Sequence, residues 1–431
     1  MSVVDAELQE RCQVSPIRPI PKGWDEKTLL DAVGMKKDLI VAGPFGSNLK
    51  VSDYRNEGIP IIRLQNIDYG KFIDKEIKYI SPEKARELAY HSFRAGDLVL
   101  AKLGDPIGKT CKVPDYFKDG IVVADVVRIR VENGWADTKF IMYSLNSVAA
   151  KKQLINGKIG STRPRVNLDQ IRGIRILVPP LNQQRKIAAI LSSVDAAIEQ
   201  TDAIIAQTER MKMGLMQELI SGENETQKVK HIVLNKKGSI KIGPFGSQLK
   251  LSDMVAEGIK VYGQENIIKK DLTLGRRFIS LEKYKTLKSC TIFPGDLVIT
   301  MMGTIGKSMI FPETFEKGIM DSHLLRLQLD STIVNASYLA HIFENYKNIK
   351  DQIYSLSQGG IMSGLSSSII RELYIPLPPI LKQNKLVLIL STIDDKLLSE
   401  KKYREHQGVI RQGLMQDLLT GRVRVKVDGH A

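Results

Sequence analysis

The sequence predicts an α/β protein in which two mixed α/β domains are separated by two long helices that pair as an antiparallel coiled coil, with an internal pseudo-two-fold repeat. The first observation is the repeat: residues 43–53 read GPFGSNLKVSD and residues 243–253 read GPFGSQLKLSD, identical at nine of eleven positions. The second is that each copy passes from short β-rich runs through a Pro-Pro pair into a long amphipathic stretch. The third is that the two amphipathic stretches carry matching apolar seams, so each offers the other a partner. A period of about 200 residues is far longer than the ~20–50 residues of a solenoid unit. The duplication is therefore of a domain-plus-helix module, which gives one polypeptide the approximate two-fold symmetry usual in a dimer.

Taken in order, residues 1–23 form an N-terminal arm and residues 24–180 the first mixed domain. Its β-rich runs at 59–64, 98–102 and 121–131 alternate with Gly, Pro and Asp punctuation. Pro179-Pro180 ends it, because proline can continue neither a helix nor a central strand. The first spacer helix spans 181–222. Ile187, Leu191, Val194, Ile198, Thr201, Ile205, Thr208, Leu215 and Leu219 fall largely at steps of four and three, the a/d pattern of a coiled-coil seam. At ~1.5 Å per residue such a helix is about 60 Å long. The second mixed domain, 223–379, ends at Pro378-Pro379, and the second helix spans 380–422, followed by a tail at 423–431. Its seam is Leu386, Leu390, Ile393, Leu397, Ile410, Leu414 and Leu418, with a polar middle from Lys401 to Gln407. Gly222 and Gly421 suit left-handed helix caps. The alternative is that each helix packs only on its own domain.

With 63 Lys and Arg against 48 Asp and Glu, the chain has a net charge of +15. That charge points to a polyanionic partner, with nucleic acid first, since neutralised phosphates release counterions; a generally basic surface is the alternative. No apolar run is long enough to span a membrane, and the first residues lack the basic start and apolar stretch of a signal peptide. Cys12, Cys111 and Cys290 are odd in number and scattered, which argues against a disulfide framework or zinc site and for a reducing cytoplasm.

The order of motifs resembles the specificity subunit of type I restriction–modification systems. PKGW at 21–24, GPFGS, PPL-x-x-Q at 179–184 and a helix ending GLMQELISG are followed by a second passage through the set, ending TGRVRV. The second copy departs in two places: it has no PKGW, and Lys382 stands opposite Gln183. The resemblance implies a non-catalytic subunit whose two target-recognition domains are held apart on an antiparallel coiled coil. It implies double-stranded DNA, two modification (methyltransferase) subunits and restriction subunits as partners, and no membrane. The cofactors it implies, S-adenosylmethionine, ATP and magnesium, belong to those partner subunits, and none to this chain. The seam residues Ile187, Leu191, Val194, Ile198, Leu215, Leu219, Leu386, Leu390, Ile393, Leu397, Leu414 and Leu418 are expected to be the spacer and part of the methyltransferase dock.

Catalytic signatures are missing from the sequence. There is no G-x-x-x-x-G-K-[ST] loop, the Asp105-Pro106-Ile107-Gly108 stretch lacks the second proline and aromatic of an adenine methyltransferase element, and the histidines and cysteines have no metal-ligand spacing. Asp321-Ser322-His323 is adjacent in sequence, whereas a triad is defined by spatial geometry. DNA reading needs polar groups on loops, since phosphate contacts position and base-edge contacts specify. The candidates are Asn48, Lys50, Arg63, Gln65, Asn66, Lys102, Lys109, Arg163 and Arg165 in the first half, and Gln248, Lys250, Gln264, Asn266, Lys307 and Gln358 in the second. For each, the alternative is a solvated surface group or turn cap. Arg163 and Arg165 have no counterpart in GGIMSGLSSS (359–368), so the halves are expected to read different sequences. Two other functions stay open: a free-standing methyltransferase or endonuclease with fused recognition domains, and a basic coiled-coil scaffold without sequence preference.

Overall fold

The computed structural model describes residues 20–104, 106–157, 164–220, 225–357 and 365–426. They fall into two compact units, one of residues 1–200 with 404–431 and one of residues 201–403. Each unit thus takes one mixed domain, the near part of one long helix and the far part of the other.

The mixed domains share one plan. In the first, an antiparallel sheet has the order Ile40–Ala42, Val126–Ile129, Leu98–Ala101, Thr110–Lys112. In the second the order is Ile240–Ile242, Leu324–Leu327, Leu297–Thr300, Ser308–Ile310. The registers correspond too: Ile129 faces both Ile40 and Leu98, and Leu327 faces both Ile240 and Leu297. Leu98–Ala101 and Leu297–Thr300 are buried at every position. That burial is why these central strands read as continuous apolar runs rather than alternating ones. Each domain also has a small mixed sheet with one parallel pair, Ile59–Ile62 beside Gly120–Val122 and Ile259–Tyr262 beside Gly318–Met320. The strand Asp25–Thr28 pairs with Arg175–Val178 just before the first Pro-Pro pair, and Thr226–Lys228 pairs with Tyr374–Pro376 before the second. The second half therefore has its opening strand without the PKGW motif.

Two helices of 40 residues follow the proline pairs, Leu181–Ile220 and Ile380–Leu419. Their starts are stapled by the last glutamine of PPLNQQ (179–184) and of PPILKQ (378–383). Gln184 is 2% exposed; its Oε1 accepts the Asp137 N–H at 2.9 Å and its Nε2 donates to the Pro179 carbonyl at 2.8 Å. Gln383, fully buried, does the same with the Asn335 N–H and the Pro378 carbonyl, both at 2.8 Å. Asp137 and Asn335 are themselves N-caps of the domain helices Thr138–Leu145 and Ala336–Asn345, which lock the spacer onto its domain. Gln183 accepts a hydrogen bond from Trp24 Nε1 at 3.1 Å, so the absence of both PKGW and this glutamine from the second copy is one change, not two.

Within each unit the helix segments run antiparallel. In the second unit Lys212 pairs with Asp394 at 2.5 Å and Lys401 with Glu209 at 2.7 Å, so stepping back along one helix steps forward along the other. In the first, Asp195 pairs with Arg411, and Ile187, Ala188 and Leu191 share a core with Met415, Leu418 and Leu419. The matching core of the second unit contains Met216, Ile220, Leu386 and Leu390.

The seam departs from its expected residues at the far ends. Leu215 and Leu414 are half-buried while Met216 and Met415 are buried, and Ile410 is 56% exposed. Val194, Ile205 and Ile393 are half-buried, and Ile198 and Leu397 buried. The reason is geometric: Lys212, Met216 and Ile220 advance by steps of four, each about 40° beyond a full turn at 3.6 residues per turn, which turns the buried stripe toward the mixed domain. Leu219 lies in the helix, and Gly222 lies outside the described residues. Cys111 and Cys290 are buried free thiols, and burial pushes the Cys111 thiol up to about 12. No described helix is long and apolar enough to cross a membrane.

Candidate nucleic-acid interface

GPFGS leaves the first strand of each antiparallel sheet through a glycine that no other residue can replace. A Cβ on Gly43 would lie 2.1 Å from the Val123 carbonyl oxygen, and one on Gly243 1.8 Å from that of Asp321. The Gly43 N–H donates to Val126 and the Gly243 N–H to Leu324. The loop then turns, with the Asn48 and Gln248 N–H groups on the Phe45 and Phe245 carbonyls, and returns through Leu49 or Leu249. Asn48, Lys50, Gln248 and Lys250 are exposed. The Lys50 and Lys250 N–H groups donate to Asp53 and Asp253, both at 2.7 Å. Pinned at both ends, each loop presents Phe45 (86% exposed) or Phe245 (59%) at its tip.

The wall beside the loop base has one backbone frame and two sets of side chains. In the first unit the Lys102 N–H donates to the Asp125 carbonyl and the Val166 N–H to that of Lys102. In the second the Met301 N–H donates to the His323 carbonyl and the Leu365 N–H to that of Met301. Lys102, Asp125 and Arg165 therefore converge, with Arg165 Nη2 at 3.3 Å from Asp125 Oδ1. Burial pulls the Lys102 ammonium below its ordinary pKa, Asp125 opposing and Arg165 adding to the shift. In the second unit Met301 is 4% exposed, and Asp321 Oδ1 accepts the His323 N–H at 3.0 Å as part of a turn. Arg163 and Gln358 lie outside the described residues, as does Asp105.

Two expected readers of bases face inward instead. Asn66 and Asn266 are 0% and 1% exposed. Asn66 Oδ1 accepts the Arg63 N–H, and its Nδ2 donates to the Ile73 and Lys75 carbonyls, all at 3.0 Å. Asn266 does likewise with Gly263, Asp271 and Leu274. A buried amide must satisfy its donors locally, so these residues hold their loops and have no donor left for a base. Aligned on these asparagines, Gln264 stands opposite Leu64 rather than Gln65. Its Oε1 is buried without a partner among the described residues. Gln65 Nε2 is 3.3 Å from Glu76, and the Arg63 guanidinium donates to the Glu76 carbonyl at 2.5 Å.

Lys109 and Lys307 hold equivalent positions, their carbonyls accepting from Ala101 and Thr300. Lys109 turns toward the helices: its Nζ is 2.9 Å from Asp68 and 5.6 Å from the Tyr69 ring. Lys151 Nζ lies 3.6 Å from the same ring. Its pKa is pulled to about 8 by burial, with Arg411 and Lys109 adding and Asp68 opposing. Beside it the Tyr143 hydroxyl donates to Asp195 at 2.7 Å, and Asp195 also pairs with Arg411. The second unit rebuilds this clamp as His341, Asp394 and Lys212, with His341 Nδ1 at 3.8 Å from Asp394.

The histidine makes the second clamp acid-sensitive. Burial lowers the His341 pKa from 6.5, Lys212 adding and Asp394 opposing. The folded state thus binds the proton less well than the unfolded chain, and the stability contributed by neutral His341 is complete above pH 6.5. It is lost as pH falls from that value toward the lower folded pKa. The Tm of the second unit is expected to drop across this window in the wild type and to drop less in His341→Gln, as read by calorimetry at a series of pH values.

Among the described residues no group of three or more His, Cys, Asp or Glu could hold a metal ion. A sequence model of the type I restriction modification DNA specificity domain matches residues 46–210 and again 236–405. The type I restriction enzyme MjaIX specificity subunit of Methanocaldococcus jannaschii is 24% identical, over 95% of this chain and 96% of that one. The MjaVIII specificity subunit from the same organism is 26% identical over 48% of each chain. The crystal structure of a type I restriction-modification S subunit from M. genitalium has the same fold, with a TM-score of 0.53 over 94% of this chain and 98% of that one at 16% identity. Matched twice, over more than half its length, the chain belongs to the type I restriction–modification DNA specificity family.

Proposed function

We propose that this chain is the DNA-reading, non-catalytic subunit of its complex, binding a bipartite, asymmetric target and recruiting modification subunits to it. The observation that carries this reading is the pair of loop-base walls: one backbone frame, repeated, with Lys102, Asp125 and Arg165 on one side and Met301 and His323 on the other. Features common to both units, such as Phe45 and Phe245 or Lys50 and Lys250, suit tasks shared by both half-sites. Features that differ suit base choice. The methyl donor S-adenosylmethionine, and ATP with magnesium for cleavage, would be held by the modification and restriction subunits, consistent with the lack of phosphate-loop and methyltransferase motifs here.

The test is reconstitution with cognate modification subunits followed by single-molecule mapping of methylated adenines. The expected motif is two unlike half-sites split by a non-specific gap, since the chain carries the recognition module twice, on two spacer helices, with different side chains at the two loop bases. Lengthening both spacer helices equally should alter the gap and leave the half-sites intact. The isolated chain should incorporate no labelled methyl group. A continuous or palindromic motif would overturn the reading, and equal affinity for random duplexes would leave a scaffold.

A further inference from the structure

We propose that Arg277, gripped by Asp321 in space left open by Gly263, is the base-reading arginine of the second unit and takes the paired acceptors of a guanine in its half-site. The inference rests on the DNA-reading function above. The stretch before the second Pro-Pro pair has no arginine to match Arg165, yet the fold supplies one from another part of the chain.

Three observations build the site. Arg277 Nη2 donates to Asp321 Oδ2 at 3.1 Å, with the aspartate side chain 10% exposed and the arginine 37%. Asp321 follows the strand Gly318–Met320, and its backbone carbonyl lies against Gly243 at the base of the GPFGS loop. A Cβ on residue 263 would meet Arg277 Nη2 at 2.0 Å and Asp321 Oδ2 at 2.8 Å. Gly263 has extended backbone at φ −124°, which any residue adopts. The glycine is therefore not called for by its conformational freedom, and the room it leaves is filled by the guanidinium, which a side chain at 263 would displace from its present position.

A purely structural ion pair is the competing explanation, and the repeat argues against it. Several buried polar elements that hold the fold recur at equivalent positions in both units: Gln184 and Gln383, Asn66 and Asn266, and Arg128 and Arg326. The Arg277–Asp321 pair does not recur. Position 321 is Val123 in the first unit, and position 263 is Arg63. The first unit instead builds its arginine–aspartate pair from Arg165 and Asp125, beside the equivalent loop base. Two domains thus reach one chemical arrangement by different residues, as expected if each arginine is aimed at its own target. A carboxylate that holds one edge of a guanidinium fixes the fork that donates to guanine O6 and N7.

The experiment uses the complex of the full chain with its modification subunits, comparing Arg277→Ala, Arg277→Lys and Arg165→Ala by methylation mapping and by binding titrations at several salt concentrations. Arg277→Ala should relax one position of the half-site read by the second domain and weaken cognate binding about five- to 150-fold. The first half-site and the salt slope should be unchanged. Arg277→Lys should relax the same position, because an ammonium cannot donate in the fixed fork, and it guards against a folding defect in the alanine variant. Arg165→Ala should relax only the first half-site. An unchanged motif in Arg277→Lys would overturn the proposal. So would uniform weakening on all sequences with the salt slope reduced by about one, the mark of a phosphate contact. If the wild-type complex yields no bipartite motif, the DNA-reading assignment itself fails, which these variants do not decide.

Discussion

Leu191→Asp is expected to destabilise the first unit by at least 4 kcal/mol, on the order of the larger core truncations plus the burial of a polar group. Leu191 is fully buried and shares one core with Trp24, the domain helix residues Phe140 and Ile141, and Met415 and Leu418 from the other end of the chain. The ionised carboxylate would have no partner there, so it must either stay protonated or open the helix contact. Leu390→Asp should act equally on the second unit, where Leu390 (1% exposed) packs with Met216 and Ile220. Because each unit has its own core, each variant should melt one unit early and leave the other near its wild-type Tm. Both variants should weaken recruitment of the modification subunit on a sizing column. Unchanged melting and unchanged complex formation would show that these leucines are not the seam.

Trp24→Ala is expected to cost about 3–5 kcal/mol, again in the first unit alone. Trp24 is 5% exposed, hydrogen-bonded to Gln183, and has the Arg424 guanidinium 5.5 Å from its ring. Arg424 also donates to the Lys22 carbonyl at 3.0 Å. Gly421 turns the chain at φ +67°, and a Cβ there would lie 2.5 Å from Pro21 Cγ. PKGW and TGRVRV are thus two halves of one clasp in which indole, guanidinium and glycine each need the others. Arg424→Ala should cost only about 0.5–1 kcal/mol, the scale of an exposed cation–π contact. In the Trp24→Ala background it should cost less still. Chemical denaturation followed by circular dichroism reads all three variants, and additive losses would mean the termini do not act together.

These expectations show how far local signals reach. The proline pairs fall where the strands Arg175–Val178 and Tyr374–Pro376 give way to the long helices, because a missing N–H stops a ladder wherever it occurs. The spacer helices, Leu181–Ile220 and Ile380–Leu419, were legible because amphipathic period is a property of consecutive residues. The repeat itself placed GPFGS twice. The near seam residues Ile187, Leu191, Leu386 and Leu390 followed from the same period, since there each helix meets a partner along one stripe.

What lay beyond that reach was decided by contacts between distant positions. Met216 and Met415 are buried in the cores while Leu215 and Leu414 stay half-buried, Leu414 packed against the first core, because the mixed domains draw the buried stripe around the helix. Asn66 and Asn266 turn inward because their loops have carbonyls to satisfy, a demand set by loop shape and not by residue type. Arg277 and Asp321, 44 positions apart, meet only because sheet order sets the strands they adjoin, Phe278–Ile279 and Gly318–Met320, on either side of Ile259–Tyr262, and Gly263 at its end leaves the space. Periodicity and turn chemistry act over a few residues. Which polar side chains share a site depends on how strands are ordered, and that order is fixed when the sheets form and their cores close.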